Sequence, residues 1–241
     1  MKFWRLLIFL LTATPVWAAN YNLADNIGRT ARETPSLDAL VQQLTGSFSK
    51  QEDKARAIYA WIVYHIDYDH YDYKTKESKN RFQIRQLENA NKNDIYKTRI
   101  GVCADIADLY QKMAKKAGLQ CNIVHGYAGP GVTRNNKNDK KHAWNVVKID
   151  GKWKLVDPTW AIKGKNNFGK DIQNFSQYRS AVFKKETQRK QAYTQKERHI
   201  DEKWFFTDPK EMIKTHYPKN EQWQLLNPPK TFHWFLTNQS R

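Results

Sequence analysis

The chain has few cysteines, few acidic residues and no long apolar run after its first residues. Only two of the 241 residues are cysteine, and 24 Asp and Glu stand against 41 Lys and Arg, a net charge of +17. Beyond residue 18 no run of 18 apolar residues occurs, which argues against a later membrane-spanning helix. No internal repeat is present, which argues against a repeat architecture.

The first 18 residues have the pattern of a secretory signal peptide. Basic Lys2 and Arg5 precede the apolar run 6–11, and small residues before a cut after Ala18 suit a signal peptidase. We expect residues 19–241 to be exported, either to the periplasm or to the exterior, as a soluble protein. A retained membrane anchor is the alternative, although the apolar run is short for a bilayer.

The basic excess predicts attraction to polyanions. Removing Lys2 and Arg5 with the signal lowers the net charge from +17 to +15, and residues 163–203 hold 11 Lys or Arg against 5 Asp or Glu. For an exported chain we expect an anionic envelope polymer, a membrane surface or an acidic protein as partner, and we do not expect nucleic acid. The alternative is that scattered lysines form an ordinary solvated surface.

Residues 103–117 carry an apolar stripe at helical spacing. Its members are Cys103, Ile106, Ala107, Tyr110, Met113, Ala114 and Ala117. This spacing predicts a helix that buries one side, with Gly101 supplying the turn before it and Gly118 ending it. Cys103 then lies in the first turn, where the helix dipole lowers the pKa of a thiol. Taken alone, an inward-facing cysteine is more typical of a small core residue without chemistry.

Residues 142–156 predict a β-hairpin, because Asp-Gly at 150–151 is a strong two-residue turn signal. The turn predicts these facing pairs: Ile149 with Lys152, Val146 with Leu155, and Trp144 with Asp157. His142 is then a diagonal neighbour of Asp157 on one face, at a Cβ separation of about 5–7 Å. A carboxylate there would hold one imidazole nitrogen and leave the other for a thiol. Two polar residues on the surface are the alternative.

Several motifs, in this order, resemble the transglutaminase-like superfamily. Three core motifs carry the resemblance: GVCAD at 101–105, HAWN at 142–145 and KWKLVDPTW at 152–160. AIYAWI at 57–62 extends it upstream. A tail similar to the kyphoscoliosis-peptidase-like branch extends it downstream, with WFFTDP at 204–209, HYP at 216–218 and WQLL at 223–226. Together the resemblance covers about residues 50 to 236.

The resemblance implies an α+β, papain-like core in which a helix bearing the cysteine packs on an antiparallel sheet bearing His and Asp. It implies Cys103 as nucleophile, His142 as general base and acid, and Asp157 as orienter, acting without cofactor or metal on amide bonds of a protein or peptide. The backbone N–H of Cys103 is the natural oxyanion donor. The family's side-chain donor falls in a variable stretch where neither Gln83 nor Gln86 can be chosen.

Two questions of function stay open at this level. An acyl-enzyme is resolved by water in a peptidase or amidase and by an amine in a cross-linking transferase, and the residues do not choose between them. The competing class is a non-catalytic module that binds the envelope or a protein and keeps the fold. The presence of all three residues, Cys103, His142 and Asp157, argues against that class.

Cys121 is expected to start a strand over 121–127 as a core residue. A helix from Cys103 to Lys116 carries the chain about 20 Å, while the next five residues return at most about 17 Å. Because a disulfide needs Cα atoms within about 7 Å, a bond between the two cysteines is at the limit of the geometry.

A cluster of polar residues ends the helix predicted over 54–66. It consists of His65, Asp67, Asp69, His70 and Asp72, and its spacing matches neither a helical His-x-x-x-His site nor a calcium loop. We therefore expect an ordinary helix end and no metal.

The remaining layout is predicted in outline. Residues 19–49 form a lead-in with one short helix near 37–44, and residues 50–241 form the transglutaminase-like domain, with a C-terminal extension from about 163. Residues 129–141 are expected to be a loop beside the site, and a helix is considered over 175–197. Trp153 and Trp160 are both assigned to the strand motif as core residues.

Overall fold

A computed structural model describes the protein over residues 21–68, 95–163 and 199–239. The signal peptide predicted at 1–18, the pair Gln83 and Gln86, and the helix considered at 175–197 lie outside these ranges. So does most of the basic segment 163–203.

The described ranges contain eight α-helices and two β-sheets. The α-helices are α1 (Asn22–Thr30), α2 (Leu37–Thr45), α3 (Gln51–His65), α4 (Ile95–Thr98), α5 (Cys103–Lys116), α6 (Pro158–Lys163), α7 (Pro209–Met212) and α8 (Phe232–Thr237). Short 3-10 turns are present at Lys137–Lys140, Glu202–Trp204 and Glu221–Gln224. No helix among the described residues is long and apolar enough to cross a membrane.

The strands of the described residues form one small and one large sheet. They are β1 (Asp67–Tyr68), β2 (Ile100–Gly101), β3 (Gln120–Ala128), β4 (Lys141–Ile149), β5 (Lys152–Val156), β6 (Phe205–Thr207) and β7 (His216–Pro218). The large sheet is antiparallel with the order β6-β5-β4-β3-β7, and β1 pairs with β2 in parallel. The mixture of helices and an antiparallel sheet confirms the predicted α+β class.

The hairpin has the register that its turn predicts. Ile149 faces Lys152 and Val146 faces Leu155, as expected for a two-residue connection. The turn residues have φ of 47° at Asp150 and 81° at Gly151, the left-handed pair that a type I′ turn requires.

Helix α5 packs against β3 and β4. Its apolar stripe is buried: Ile106, Tyr110 and Met113 are each fully enclosed. From the sheet, the buried Asn145 side chain on β4 donates a hydrogen bond to the Ala107 carbonyl at 2.9 Å. The start of α5 is thereby held against the strand that carries His142.

The lead-in contains a helix that the sequence did not predict. Helix α1 packs on α3, and Gly28 makes this possible because a Cβ there would lie 2.6 Å from the Cβ of Ala60. Leu23, Ala24, Ile27 and Gly28 of this helix follow a helical spacing, and Ala24 and Gly28 are its buried residues. The short helix predicted near 37–44 is confirmed as α2.

Arg56 joins the lead-in to the C-terminal segment. Its side chain is fully buried and bonds Asp25 of α1 at 2.6 Å through Nε and Glu202 at 2.7 Å through Nη1. The guanidinium lies 4.5 Å from the Tyr21 ring centroid and 4.9 Å from that of Phe205. A guanidinium buried in this way needs both carboxylates to compensate for its loss of hydration.

The C-terminal residues supply both edges of the large sheet. Strand β6 pairs with β5, and β7 pairs with β3. Gly126 on β3 lets β7 approach, because a Cβ at that position would lie 2.2 Å from the Tyr217 carbonyl oxygen and 2.5 Å from the Trp144 ring. The tail motifs of the sequence are therefore part of the same sheet as His142.

Candidate active site

Cys103 is the first residue of α5 and is half-buried. Asp105 stabilises this helix end by accepting a hydrogen bond from the Val102 N–H at 3.0 Å. The sequence predicted a sharp turn at Gly101, but its φ lies outside the left-handed region. Glycine is needed there for space, because a Cβ would lie 3.0 Å from both the Asp105 Cβ and the Ile95 Cγ2.

Asp157 lies between β5 and α6 and begins the helix. Its Oδ1 accepts a hydrogen bond from the Trp160 N–H at 3.1 Å, and Pro158 occupies the first helical position. Its own N–H donates to the Trp204 carbonyl at 2.9 Å. The Asp157 side chain is fully buried. Hydrogen bonds to Trp160 of α6 and to Trp204 in the turn before β6 hold the residue in place.

The imidazole of His142 lies between the other two groups. Its Nε2 is 2.7 Å from Asp157 Oδ2, which leaves the other ring nitrogen, Nδ1, for a thiol. His142 and the backbone of Ala143, the next residue of β4, both lower the pKa of Cys103. The structure therefore brings together the three residues that the sequence singled out.

The pKa values of these three groups favour charge separation. Burial raises the pKa of the Cys103 thiol, but the hydrogen bond and charge of His142 and the Ala143 N–H outweigh it, so the net shift is downward. Burial lowers the pKa of His142, yet the Asp157 charge and hydrogen bond raise it to about 9. Burial raises the pKa of Asp157, whereas the two histidines that bond it hold that pKa well below its usual range.

These shifts thus favour a Cys103 thiolate and a His142 imidazolium beside an ionised Asp157 carboxylate. A thiolate is the nucleophilic form of cysteine, and an adjacent imidazolium is a proton donor for a leaving amine. The N–H of Cys103 lies in the first turn of α5, where helix amides have no intrahelical acceptor. It is available to an oxyanion that forms beside the sulfur.

His216 is a fourth residue at this site, and no partner was predicted for it from the sequence. Its Nε2 is 3.0 Å from Asp157 Oδ2, the same oxygen that His142 contacts, and its Nδ1 is 2.7 Å from Thr215 Oγ1. Burial lowers the pKa of His216 to about 4, with the His142 and Lys203 charges acting in the same direction and Asp157 opposing them. The only local signal was membership in the HYP tail motif.

Three tryptophans enclose the two imidazoles. The His216 ring centroid lies 5.1 Å from that of Trp144, 4.4 Å from that of Trp160 and 5.4 Å from that of Trp204.

The assignment of Trp160 to the strand motif was wrong, because β5 ends at Val156 and Trp160 lies in α6. The Asp-Pro pair before it starts a helix instead of continuing the strand.

His142, Asp157 and His216 could in principle be considered as metal ligands, since their ligand atoms lie within 4.8 Å of one another. Both nitrogens converge on one oxygen at 2.7 and 3.0 Å. Ligands of a tetrahedral metal at about 2.1 Å would stand about 3.4 Å apart. The separations are those of hydrogen bonds, and the expectation of a metal-free site stays a prediction.

The other expected groups are placed as follows. His65 lies 3.1 Å from the Gly28 carbonyl oxygen, and the side chains of residues 67 and 69–72 lie outside the described part of the chain. Cys121 is a buried residue of β3 whose pKa is raised by burial to about 12. Both cysteines of the chain are free thiols.

The chain is similar in sequence to part of several longer proteins. The chain is 30% identical over 205 residues to kyphoscoliosis peptidase of Homo sapiens, covering 84% of this chain and 26% of that protein. It is 27% identical over 202 residues to Hillarin of Drosophila melanogaster, covering 81% and 21%. The chain therefore spans about a quarter of the length of the curated relatives it matches.

A solved structure, described as that of a TGase, is also similar. It shares 18% identity with the chain, with a TM-score of 0.37, over 64% of this chain and 37% of that one. The family model described as the transglutaminase-like superfamily matches residues 38–158, half of the chain, a range that contains Cys103, His142 and Asp157. The chain belongs to the transglutaminase-like superfamily.

Proposed function

We propose that this protein is an exported, cysteine-dependent enzyme that transfers the acyl group of an amide bond in a protein or peptide. The observation that carries the proposal is the buried hydrogen bond between His142 and Asp157, together with the effect of His142 on Cys103, whose thiol pKa it lowers. Membership of the transglutaminase-like superfamily supports the reaction class.

Acylation uses the charges that the site already separates. The Cys103 thiolate attacks the amide carbonyl carbon, a C–S bond forms, and the Cys103 N–H stabilises the oxyanion. The His142 imidazolium gives its proton to the departing nitrogen, the C–N bond breaks, and ammonia or an amine leaves. Asp157 holds the imidazole in place and stabilises its charged form.

Deacylation reverses the proton transfer. Neutral His142 takes a proton from water or from a second amine, which attacks the thioester carbon and releases the Cys103 thiolate. Water gives hydrolysis and an amine gives a cross-link. Both outcomes use the same four groups: the thiol, the imidazole, the carboxylate and the backbone amide.

The decisive experiment incubates the purified protein with a glutamine-containing peptide and a labelled primary amine. Ammonia release and amine incorporation are followed together, so that hydrolysis gives ammonia alone and transfer gives both. Cys103→Ala is expected to abolish both signals. Cys121→Ala is the matched control, because Cys121 is the other cysteine and lies buried on β3. Its activity is expected to match the wild type.

Equal activity of Cys103→Ala and wild type in that assay would overturn the proposal. A positional scanning library of glutamine and amide-linked peptides extends the assay to other substrate classes. If no peptide in the library reacts and Cys103 alkylates like an ordinary thiol, the protein is instead a binding module that retains the fold.

Export belongs to the proposal and has its own test. Expression of the full chain in a bacterial host, followed by fractionation and N-terminal sequencing, is expected to give an exported protein that begins at Ala19. A chain that keeps residues 1–18 in the cytoplasmic fraction would overturn this part of the proposal.

The excess of basic over acidic residues supports an anionic partner near the substrate. With 41 Lys and Arg against 24 Asp and Glu, the chain is expected to be retained on anionic vesicles at low salt and released as salt rises. Retention that does not change across the salt series would contradict an electrostatic role.

A further inference from the structure

We infer that His216 is a positioning residue of the site, which keeps the Asp157 carboxylate ionised and aimed at the His142 imidazole. The inference rests on the proposed function and extends it to a residue outside the family match at 38–158. It would make the site a relay of four side chains, ordered Cys103, His142, Asp157 and His216.

The first argument is the number of donors on the carboxylate. Asp157 Oδ1 accepts from the Trp160 N–H, and Oδ2 accepts from both His142 Nε2 and His216 Nε2. A fully buried carboxylate needs such donors to stay charged, because burial alone favours the protonated form. His216 supplies one of these three hydrogen bonds, at 3.0 Å from Oδ2.

The second argument is that His216 is built to donate as a neutral ring. In a neutral ring whose Nε2 carries the proton that bonds Asp157, Nδ1 accepts. The Thr215 hydroxyl is placed to donate to it, since it lies 2.7 Å from Nδ1 and 3.2 Å from its other acceptor, the Met212 carbonyl oxygen. The charged groups that act on it are Asp157, His142 and Lys203. A second cation beside protonated His142 would be unfavourable, and the tryptophan surroundings disfavour it further.

The third argument is that the fold holds His216 firmly at this position. Strand β7 is joined to β3 by the pairing of His216 with Ala128 and of Tyr217 with Tyr127. The absence of a side chain at Gly126 permits the close approach of β7. The imidazole itself is 1% exposed, so water cannot easily replace it as donor.

Loss of the His216 hydrogen bond is expected to affect first Asp157, then His142 and finally the Cys103 sulfur. His216 helps to hold the pKa of Asp157 low, the Asp157 charge raises that of His142, and His142 lowers that of Cys103. Removing the donor would favour protonated Asp157, so His142 would lose its proton at lower pH and Cys103 would ionise at higher pH. The pH window of the thiolate–imidazolium pair would therefore narrow from both sides.

The experiment measures the rate of Cys103 alkylation by iodoacetamide from pH 4 to 10, with peptide mapping to separate Cys103 from Cys121. His216→Phe removes the donor and keeps a ring, whereas His216→Gln returns an N–H at the reach of Nε2. His125→Phe is the matched control, because His125 is an exposed histidine on the neighbouring strand β3.

We expect His216→Phe to narrow the pH range of rapid Cys103 alkylation by about one pH unit. At the acidic end of that range, this equals a tenfold loss in the alkylation rate. His216→Gln is expected to restore the window, and kcat with it, to within about threefold, and His125→Phe to match the wild type. An unchanged or wider window in His216→Phe would overturn the inference, as would equal windows for His216→Phe and His216→Gln.

If His216→Phe does not fold, the comparison of His216→Gln with His216→Asn decides the question. The shorter Asn side chain keeps the polarity but cannot reach Asp157 Oδ2, so its window is expected to narrow while that of Gln does not. Equal windows for Gln and Asn would overturn the inference. A wild-type thiol that titrates like free cysteine would instead overturn the proposed function, so the two failures are distinguishable.

Discussion

The imidazoles of His142 and His216 have ring centroids 5.4 Å apart, yet their pKa values move in opposite directions, to about 9 and about 4. Both contact the same carboxylate oxygen. They differ in their second partner, since His142 faces the Cys103 thiol and His216 faces the Thr215 hydroxyl. Environment thus assigns one ring to carry charge and the other to donate as a neutral group.

Replacing Asp157 with asparagine is expected to lower kcat about 10⁴-fold, the loss that replacing the orienting carboxylate produces in the Ser-His-Asp triad. The amide keeps the shape of the side chain but removes the charge that stabilises protonated His142. The measurement is initial-rate ammonia release at saturating peptide. Asp108→Asn on α5 is the control, and activity of Asp157→Asn within tenfold of the control would contradict the role of Asp157.

The free energy of unfolding is expected to fall as pH drops from about 6.5 to 4, because folded His216 resists protonation. Its pKa is lowered to about 4, so the unfolded chain binds the proton first, at about pH 6.5. Stability from neutral His216 is therefore present above pH 6.5 and lost below it, by at most about 3 kcal/mol. Urea unfolding at pH 6.5 and 4.5 measures the loss.

His216→Gln has no group that titrates in this range, so its unfolding free energy is expected to fall less between the two pH values. The exposed His125→Gln serves as the control and should retain the wild-type slope. Equal slopes for His216→Gln and the control would show that His216 does not cause the acid loss.

His142 affects the unfolding free energy with the opposite sign, on the alkaline side. Its raised pKa contributes stability below about pH 6.5, and this stability is lost as pH rises through about 9.

Arg56→Met is expected to lower the free energy of unfolding by about 3 kcal/mol, at the lower end of the range for a broken buried pair. The lower end applies because Glu202 is 66% exposed and Asp25 25% exposed, so water partly replaces the guanidinium. Lys116→Met, which breaks the exposed pair with Asp38, is the control and is expected to cost less than about 1 kcal/mol. Equal losses in urea unfolding would contradict the structural role of Arg56.

Gly126→Ala is expected to displace β7, because the new Cβ would lie 2.2 Å from the Tyr217 carbonyl oxygen. Overpacking of this kind costs about 1–3 kcal/mol. Since His216 lies on β7, activity is expected to fall more than the loss of stability alone explains. Gln120→Ala, an exposed position on the same strand, is the control, and wild-type stability and activity in Gly126→Ala would refute the expectation.

Local patterns predicted the elements that carry Cys103 and His142. The apolar stripe predicted a helix over 103–116, which is the observed span of α5, and the Asp-Gly turn predicted the register of the hairpin. Both patterns depend on contacts a few residues apart along the chain. The same kind of spacing is present in α1, at Leu23, Ala24, Ile27 and Gly28, although no helix was predicted there.

The sequence by itself determined the order and chemistry of Cys103, His142 and Asp157, the helix that begins at the cysteine and the hairpin that joins the other two. Only the tertiary structure decided that β7, 59 residues beyond Asp157 in the chain, would place His216 on the same carboxylate. A three-residue edge strand has too few positions to show a periodicity, and its partner is chosen by non-local packing. The enclosing tryptophans come from β4, α6 and the turn before β6, so their convergence follows from the fold alone.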